Sequence, residues 1–100
     1  MDKGAARIEE LIRHMPAEVR VVAQTIRTCA ASEFSDRWPE AADDMAAVVC
    51  GRWVHAVNIR DRDTDMGYID RLVNESYATL DDDQIAATER MFDDLSRAWR

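Results

Sequence analysis

The sequence predicts an all-α protein, a compact bundle of about five helices, and three observations predict it. Only three glycines and two prolines occur in 100 residues, too few turn formers to wind a chain through the tight corners of a β-sandwich or barrel. Apolar residues recur at the i, i+3, i+4, i+7 spacing of amphipathic helices along most of the chain. A content of 47% hydrophobic and 33% charged residues supplies both a core and a solvated exterior, so one domain over residues 1–100 is expected.

Ile8, Leu11, Ile12 and Met15 fall at helical spacing and predict a short helix over 5–15. Pro16 interrupts it and suits the first turn of a second helix, whose buried stripe reads Val19, Val22, Ala23, Ile26 and Ala30. Residues 32–38 lose the stripe and form a connector ending at Pro39, which can open a third helix running to about Arg60. That helix carries Ala42, Met45, Ala46, Val49, Trp53, Ala56 and Val57, with Val48, Cys50 and Val54 beside them, an arc wide enough for a central, well-buried element. Gly51 inside it either admits a neighbouring helix or marks a break. A strand from Val54 to Ile59 is the rival reading of that segment's end.

After a polar connector from Asp61 to Asp65, Met66, Ile69, Val73, Tyr77 and Leu80 mark a fourth helix. The sharpest local signal comes next. Asp81 can cap a fifth helix while Gln84, three residues on, reaches back to it, and Leu80 can staple onto Ile85. Ile85, Thr88, Phe92, Leu95 and Trp99 then form one face up to Arg100.

The net charge of −7 is uneven. Residues 1–31 hold five basic and four acidic groups, whereas 32–65 and 66–100 each hold eight acidic and four basic ones. Such a body repels phosphate backbones, so no direct nucleic-acid binding is expected and a basic protein surface becomes the natural partner. An apparent helix-turn-helix over Ile26–Val49 fails for the same reason, because its second helix would present Glu40, Asp43 and Asp44 to DNA. No apolar run has the length of a signal peptide or a membrane span, which predicts no membrane association and a cytoplasmic protein of a bacterial cell.

Catalytic and cofactor chemistry finds little support in the motifs. Asp61, Asp63 and Asp65 alternate like a calcium loop, but Met66 and Leu72 stand where the turn glycine and the bidentate glutamate are needed. His14, Cys29, Cys50 and His55 are zinc-type residues without ligand spacing, so no metal or other cofactor is expected, His14 is assigned to a helix end, and both cysteines are read as buried free thiols. Ser32, Ser35, Ser76 and Ser96 lie in no nucleophile motif, and the pairs Asp43/Asp44 and Asp93/Asp94 diverge by about 100° on a helix, as acids on a solvated face do. Arg7, Arg13, Arg20 and Arg27 form a basic row explained by solubility and intramolecular pairing. The chain therefore reads as a binding protein and not an enzyme.

A single small domain with acidic clusters at Asp43/Asp44, Asp61/Asp63/Asp65, Asp81/Asp82/Asp83 and Asp93/Asp94 resembles, in size, charge and helical character, the small acidic inhibitors of phages and mobile elements, the anti-CRISPR proteins among them. That resemblance implies binding to a CRISPR effector complex or its nuclease, with DNA binding or cleavage blocked by a surface that mimics DNA charge. The acids of the connectors 33–38 and 61–65, rather than the helix-capping Asp81, Asp82 and Asp83, would meet the basic groups of such a nucleic-acid-handling complex, which selects Glu33, Asp36, Asp61, Asp63 and Asp65, with Trp38 as an apolar anchor. Thr64 or Asp65 can also cap the fourth helix. The alternative is an antitoxin, immunity-type or regulatory protein that pairs with a toxin or with itself as a homodimer.

Overall fold

The computed structural model describes residues 3–57 and 65–98. They form five helices: α1 (Lys3–Arg13), α2 (Ala17–Ser35), α3 (Ala42–Ala56), α4 (Met66–Tyr77) and α5 (Asp82–Ala98). α3 is the axis of the bundle and packs against all four others, while α1 also packs on α4 and α2. The cause is visible in its composition: Ala42, Asp44 to Gly51, Trp53 and Val54 are all buried, and a helix that is apolar on nearly every side must be surrounded. The expected stripe of α3 is thus observed from Ala42 to Trp53, while Ala56 is exposed and Val57 lies just past the helix, half-buried; residues up to Ala56 are helical, against the rival strand. The rest of that rival segment, residues 58 and 59, lies outside the described residues.

Side-chain pairs fix the helix directions. Asp44 meets Ser76 and His55 meets Asp70, so α4 runs against α3; Arg7 meets Asp44 near the end of α4 and Glu10 meets Tyr68 near its start, so α1 runs with α3. Arg52 stacks over Phe92, 4.4 Å from the ring centroid, and Gln84 lines a hollow with Asp44, which sets α5 parallel to α3. The ends of α2 and α5 that flank the start of α3 therefore lie at one end of the molecule. The Cα radius of gyration, 12.4 Å, agrees with the roughly 13 Å of a folded domain of this length.

Local signals explain most boundaries. Pro16 stands just before α2, and Arg20 from its first turn donates to the carbonyls of Met15 and Arg13, satisfying acceptors that the end of α1 leaves open. The capping box of α5 is formed in both directions: Gln84 N donates to Asp81 Oδ1 and Asp81 N to Gln84 Oε1, each at 2.9 Å. Leu80 lies just past α4 and packs against the core. Asp65 caps α4 by accepting from Tyr68 N at 3.0 Å.

Five expectations are corrected. α2 continues through residues 32–35 because Ala23, Ile26, Ala30 and Phe34 make one buried row, so the connector shrinks to residues 36–41. Pro39 does not open α3; it sits in a turn stitched by Trp38 N to Phe34 O and Ala41 N to Trp38 O, and the helix begins three residues later. Val22 is 45% exposed, since the inner face of α2 is centred one row away. Cys29 is exposed and only Cys50 is buried. Asp44 belongs to no solvated face: it is 6% exposed and sits in the core.

Gly51 shows why a glycine occupies the middle of α3. A Cβ there would lie 2.2 Å from Val73 Cγ2, so its absence is what lets α4 reach this distance.

Candidate functional site

The buried polar chemistry converges on Asp44. Arg7 Nε and NH2 donate to its two oxygens at 3.0 and 2.9 Å, Ser76 Oγ donates to Oδ1 at 2.9 Å, and Thr79 Oγ1 donates to Oδ2 at 3.0 Å. Oδ1 thus takes two donors and Oδ2 takes Arg7 with the Thr79 hydroxyl, whose one proton is shared with Ser76 O at 2.8 Å, and one side chain ties α1, α3, α4 and the α4–α5 turn together. A carboxylate so fully occupied is a cross-brace rather than a base. Cys50, the other buried reactive group, donates weakly to Ala23 O, and burial pushes its thiol up to about 12 against the opposing pull of Arg27, which makes it inert as a nucleophile.

The histidines and the basic row also serve the fold. His14 follows α1, with Nδ1 2.9 Å from Glu10 O and its ring beside Tyr68 at 4.5 Å between centroids, while His55 pairs with Asp70. Arg13 pairs with Glu10 and Arg27 with Glu9. Among the described residues no group of three His, Cys, Asp or Glu side chains is placed to hold a metal ion, and no helix is long and apolar enough to cross a membrane.

Among the described residues Trp38 stands between two hollows. The larger, about 540 Å³, runs between α2 and α5; Ile26, Phe34, Ala87, Met91 and Leu95 line it, with Glu33, Arg37, Arg90 and Asp94 also on its walls. The smaller, about 460 Å³, is bounded by Trp38, Pro39, Glu40, Asp44, Thr79 and Gln84. The Trp38 ring is half-buried, tilted against Phe34 at 6.5 Å and covered by the Arg37 guanidinium at 4.4 Å.

The expected partner-binding residues that the structure describes do not form one face. Glu33, Asp36 and Trp38 cluster where α2 ends, with Glu33 and Asp36 exposed. Asp65 lies beyond the opposite end of α3, a helix of 15 residues and so about 21 Å long, and it has a capping task. Asp61 and Asp63 lie outside the described residues. Folding instead brings Glu33, Asp36 and Trp38 to the same end as Glu40 and the start of α5, where Asp81, Asp82 and Asp83 are exposed. Sequence spacing could not show that grouping, because it joins segments about 40 residues apart. The α2–α5 hollow did leave a trace: Met91 and Leu95, at i, i+4, make a second apolar row on α5 beside the Ile85–Phe92 stripe.

Comparison with protein-family models, with curated proteins and with solved structures returns no match for this chain.

Proposed function

We propose that this chain is a non-catalytic inhibitor that binds a basic surface of a nucleic-acid-handling complex through its acidic end, as the resemblance to anti-CRISPR proteins implies. A CRISPR effector or its nuclease is the partner class, and occupation of its DNA-binding surface is the mode of action. The observation that carries this reading is the gathering of exposed Glu33, Asp36, Glu40, Asp81, Asp82 and Asp83 at one end of the bundle, around the half-buried Trp38. A channel built to hold phosphates is lined with Lys and Arg, and a folded acidic end can satisfy those charges and exclude DNA.

Helix electrostatics add a second support. Asp82 and Asp83 stand at the N-terminus of α5, where the dipole favours them, but Glu33 and Asp36 stand at the C-terminal end of α2, where it opposes carboxylates. Folding gains nothing from acids there. Binding to a cationic partner gives them a purpose.

The test compares a triple Glu33→Gln, Asp36→Asn, Glu40→Gln variant with a triple Asp61, Asp63, Asp65→Asn variant. Association with purified CRISPR effector complexes, and protection of their DNA targets from binding, is followed over a salt series. The first variant is expected to associate more slowly with a flatter salt dependence, and to be as stable as the parent or more so by a few tenths of a kcal/mol. Parent-like association of that variant, at every salt concentration, refutes the acidic-end reading.

A further inference from the structure

We infer that the α2–α5 hollow is a self-association surface, and that its occupant is a second copy of this chain packed on it about a two-fold axis. The large exposed hydrophobics of the described residues are Val21, 72% exposed, and Val22, 45% exposed, and both lie on α2. They are not isolated. Val21, Thr25 and Cys29 follow at four-residue steps, so the valines extend, on the same side of the helix, the wall that Thr25, Ile26, Cys29 and Glu33 give the hollow. Across it stand Met91 and Leu95 of α5, and the result is a trough with Val21 and Val22 exposed beyond one end of its α2 wall.

Charge selects the occupant. The chain carries −7, yet this hollow is lined by Glu33 and Asp94 against Arg37 and Arg90, a balance of zero. A neutral patch with both signs gives no preference for a basic partner. It is self-complementary, because a two-fold axis can bring the arginines of one copy to the acids of the other, as an isologous interface requires. Size agrees: α2 has 19 residues and is about 28 Å long, and with α5 beside it the face covers on the order of 600 Å² per chain, the lower end of what specific dimers bury. That area fits a reversible dimer better than an obligate one; of the acidic end it covers Glu33 and Trp38 and leaves Asp36, Glu40 and Asp81 to Asp83 free.

Cys29 makes the arrangement measurable, since its thiol lies on the wall of the hollow near the middle of α2 while Cys50 is buried. The protein alone, with no partner, is examined by sedimentation equilibrium from 1 to 500 µM, in the range of concentration where an interface of this size associates by roughly micromolar affinity. The expected result is a monomer–dimer equilibrium between 11.4 kDa and twice that mass. A bismaleimide reaching about 15 Å is expected to join two Cys29 side chains, because packed helices lie 8–10 Å apart and the residue is close to the midpoint of its helix. Val21→Glu and Met91→Glu, changes at exposed and half-exposed positions with the fold checked by circular dichroism, should each raise the dissociation constant at least about tenfold by burying an unpaired charge. A monomer throughout, a dimer indifferent to both changes, or a dimer without the Cys29 crosslink overturns the inference. None of these readouts involves the acidic end, so the two proposals fail separately.

Discussion

The α1–α3–α4 side of the molecule and its α2–α5 side use the central helix differently. Where α1 and α4 meet α3, Ile8, Leu11, Ile12, Met45 and Ile69 are essentially inaccessible, and Asp44 is held by Arg7, Ser76 and Thr79. Where α2 and α5 flank α3, a hollow remains, and α5 fully buries only Ala87 and Thr88 among its described residues, with Met91, Phe92 and Leu95 half exposed. The same helical period thus yields a closed core on one side and, on the other, a trough that remains open although α2 itself buries Ala23, Ile26, Ala30 and Phe34.

Breaking the closed side should produce the largest loss. Asp44→Ala leaves the Arg7 guanidinium without its carboxylate and strips Ser76 and Thr79 of an acceptor, and is expected to cost about 3–5 kcal/mol in urea unfolding. The paired change Arg7→Met with Asp44→Leu should cost less than the sum of the two single changes, because no charge is then left buried. A loss under about 1 kcal/mol for Asp44→Ala would mean that the brace contributes little.

Gly51→Ala sharpens the comparison, as it sets local propensity against tertiary fit at the α3–α4 contact. The helix gains about 1 kcal/mol, but the new methyl overlaps stiff Val73, and a net loss of about 1–2 kcal/mol is expected. Val73→Ala in the same chain should recover part of it. A stabilised single variant would show that α4 can move away freely.

Cys50 reports on burial through pH. In the unfolded chain its thiol ionises near the ordinary 9.0, and in the folded chain only near 12, so between these values the unfolded state holds fewer protons and stability falls as pH rises. The loss should begin near pH 8, about one unit below the ordinary thiol value, reach roughly 1.4 kcal/mol at pH 10, and vanish in Cys50→Ala when the two chains are unfolded over an alkaline series. Cys29 should meanwhile react with a thiol reagent in the native state and Cys50 only on unfolding.

On the open side the expected effect is smallest. Asp81→Ala removes one half of the α5 capping box and should cost about 1 kcal/mol, read as a shift in the urea midpoint at unchanged slope. A cost as large as that of Asp44→Ala would erase the distinction between the two sides.

Much of the architecture was legible before folding. Pro16 between α1 and α2, the stripe of α3 and the Asp81–Gln84 box are local: each rests on residues within one or two turns of one another, and the helical period or the capping geometry acts over that same range. The misread elements each depend on a distant neighbour. Phe34 extends α2 because it continues the buried row of Ala23, Ile26 and Ala30, Val22 turns outward because that row is centred beside it, and Asp44 is buried because Arg7, Ser76 and Thr79 converge from 32 to 37 residues away. The candidate site divides in the same way: the acids could be named singly, but not their grouping.

The sequence by itself determined that this chain is helical, where most helices start, and that its exterior is acidic, because hydrophobic period, caps and charge are properties of short stretches. Tertiary structure alone decided which aspartate becomes a core brace, whether Gly51 is a break or a contact, which acids share an end with Trp38, and that α2 and α5 leave a neutral trough between them. The reason is that burial and pairing depend on which helices meet α3, and that is settled by packing surfaces too far apart in the chain to constrain one another locally.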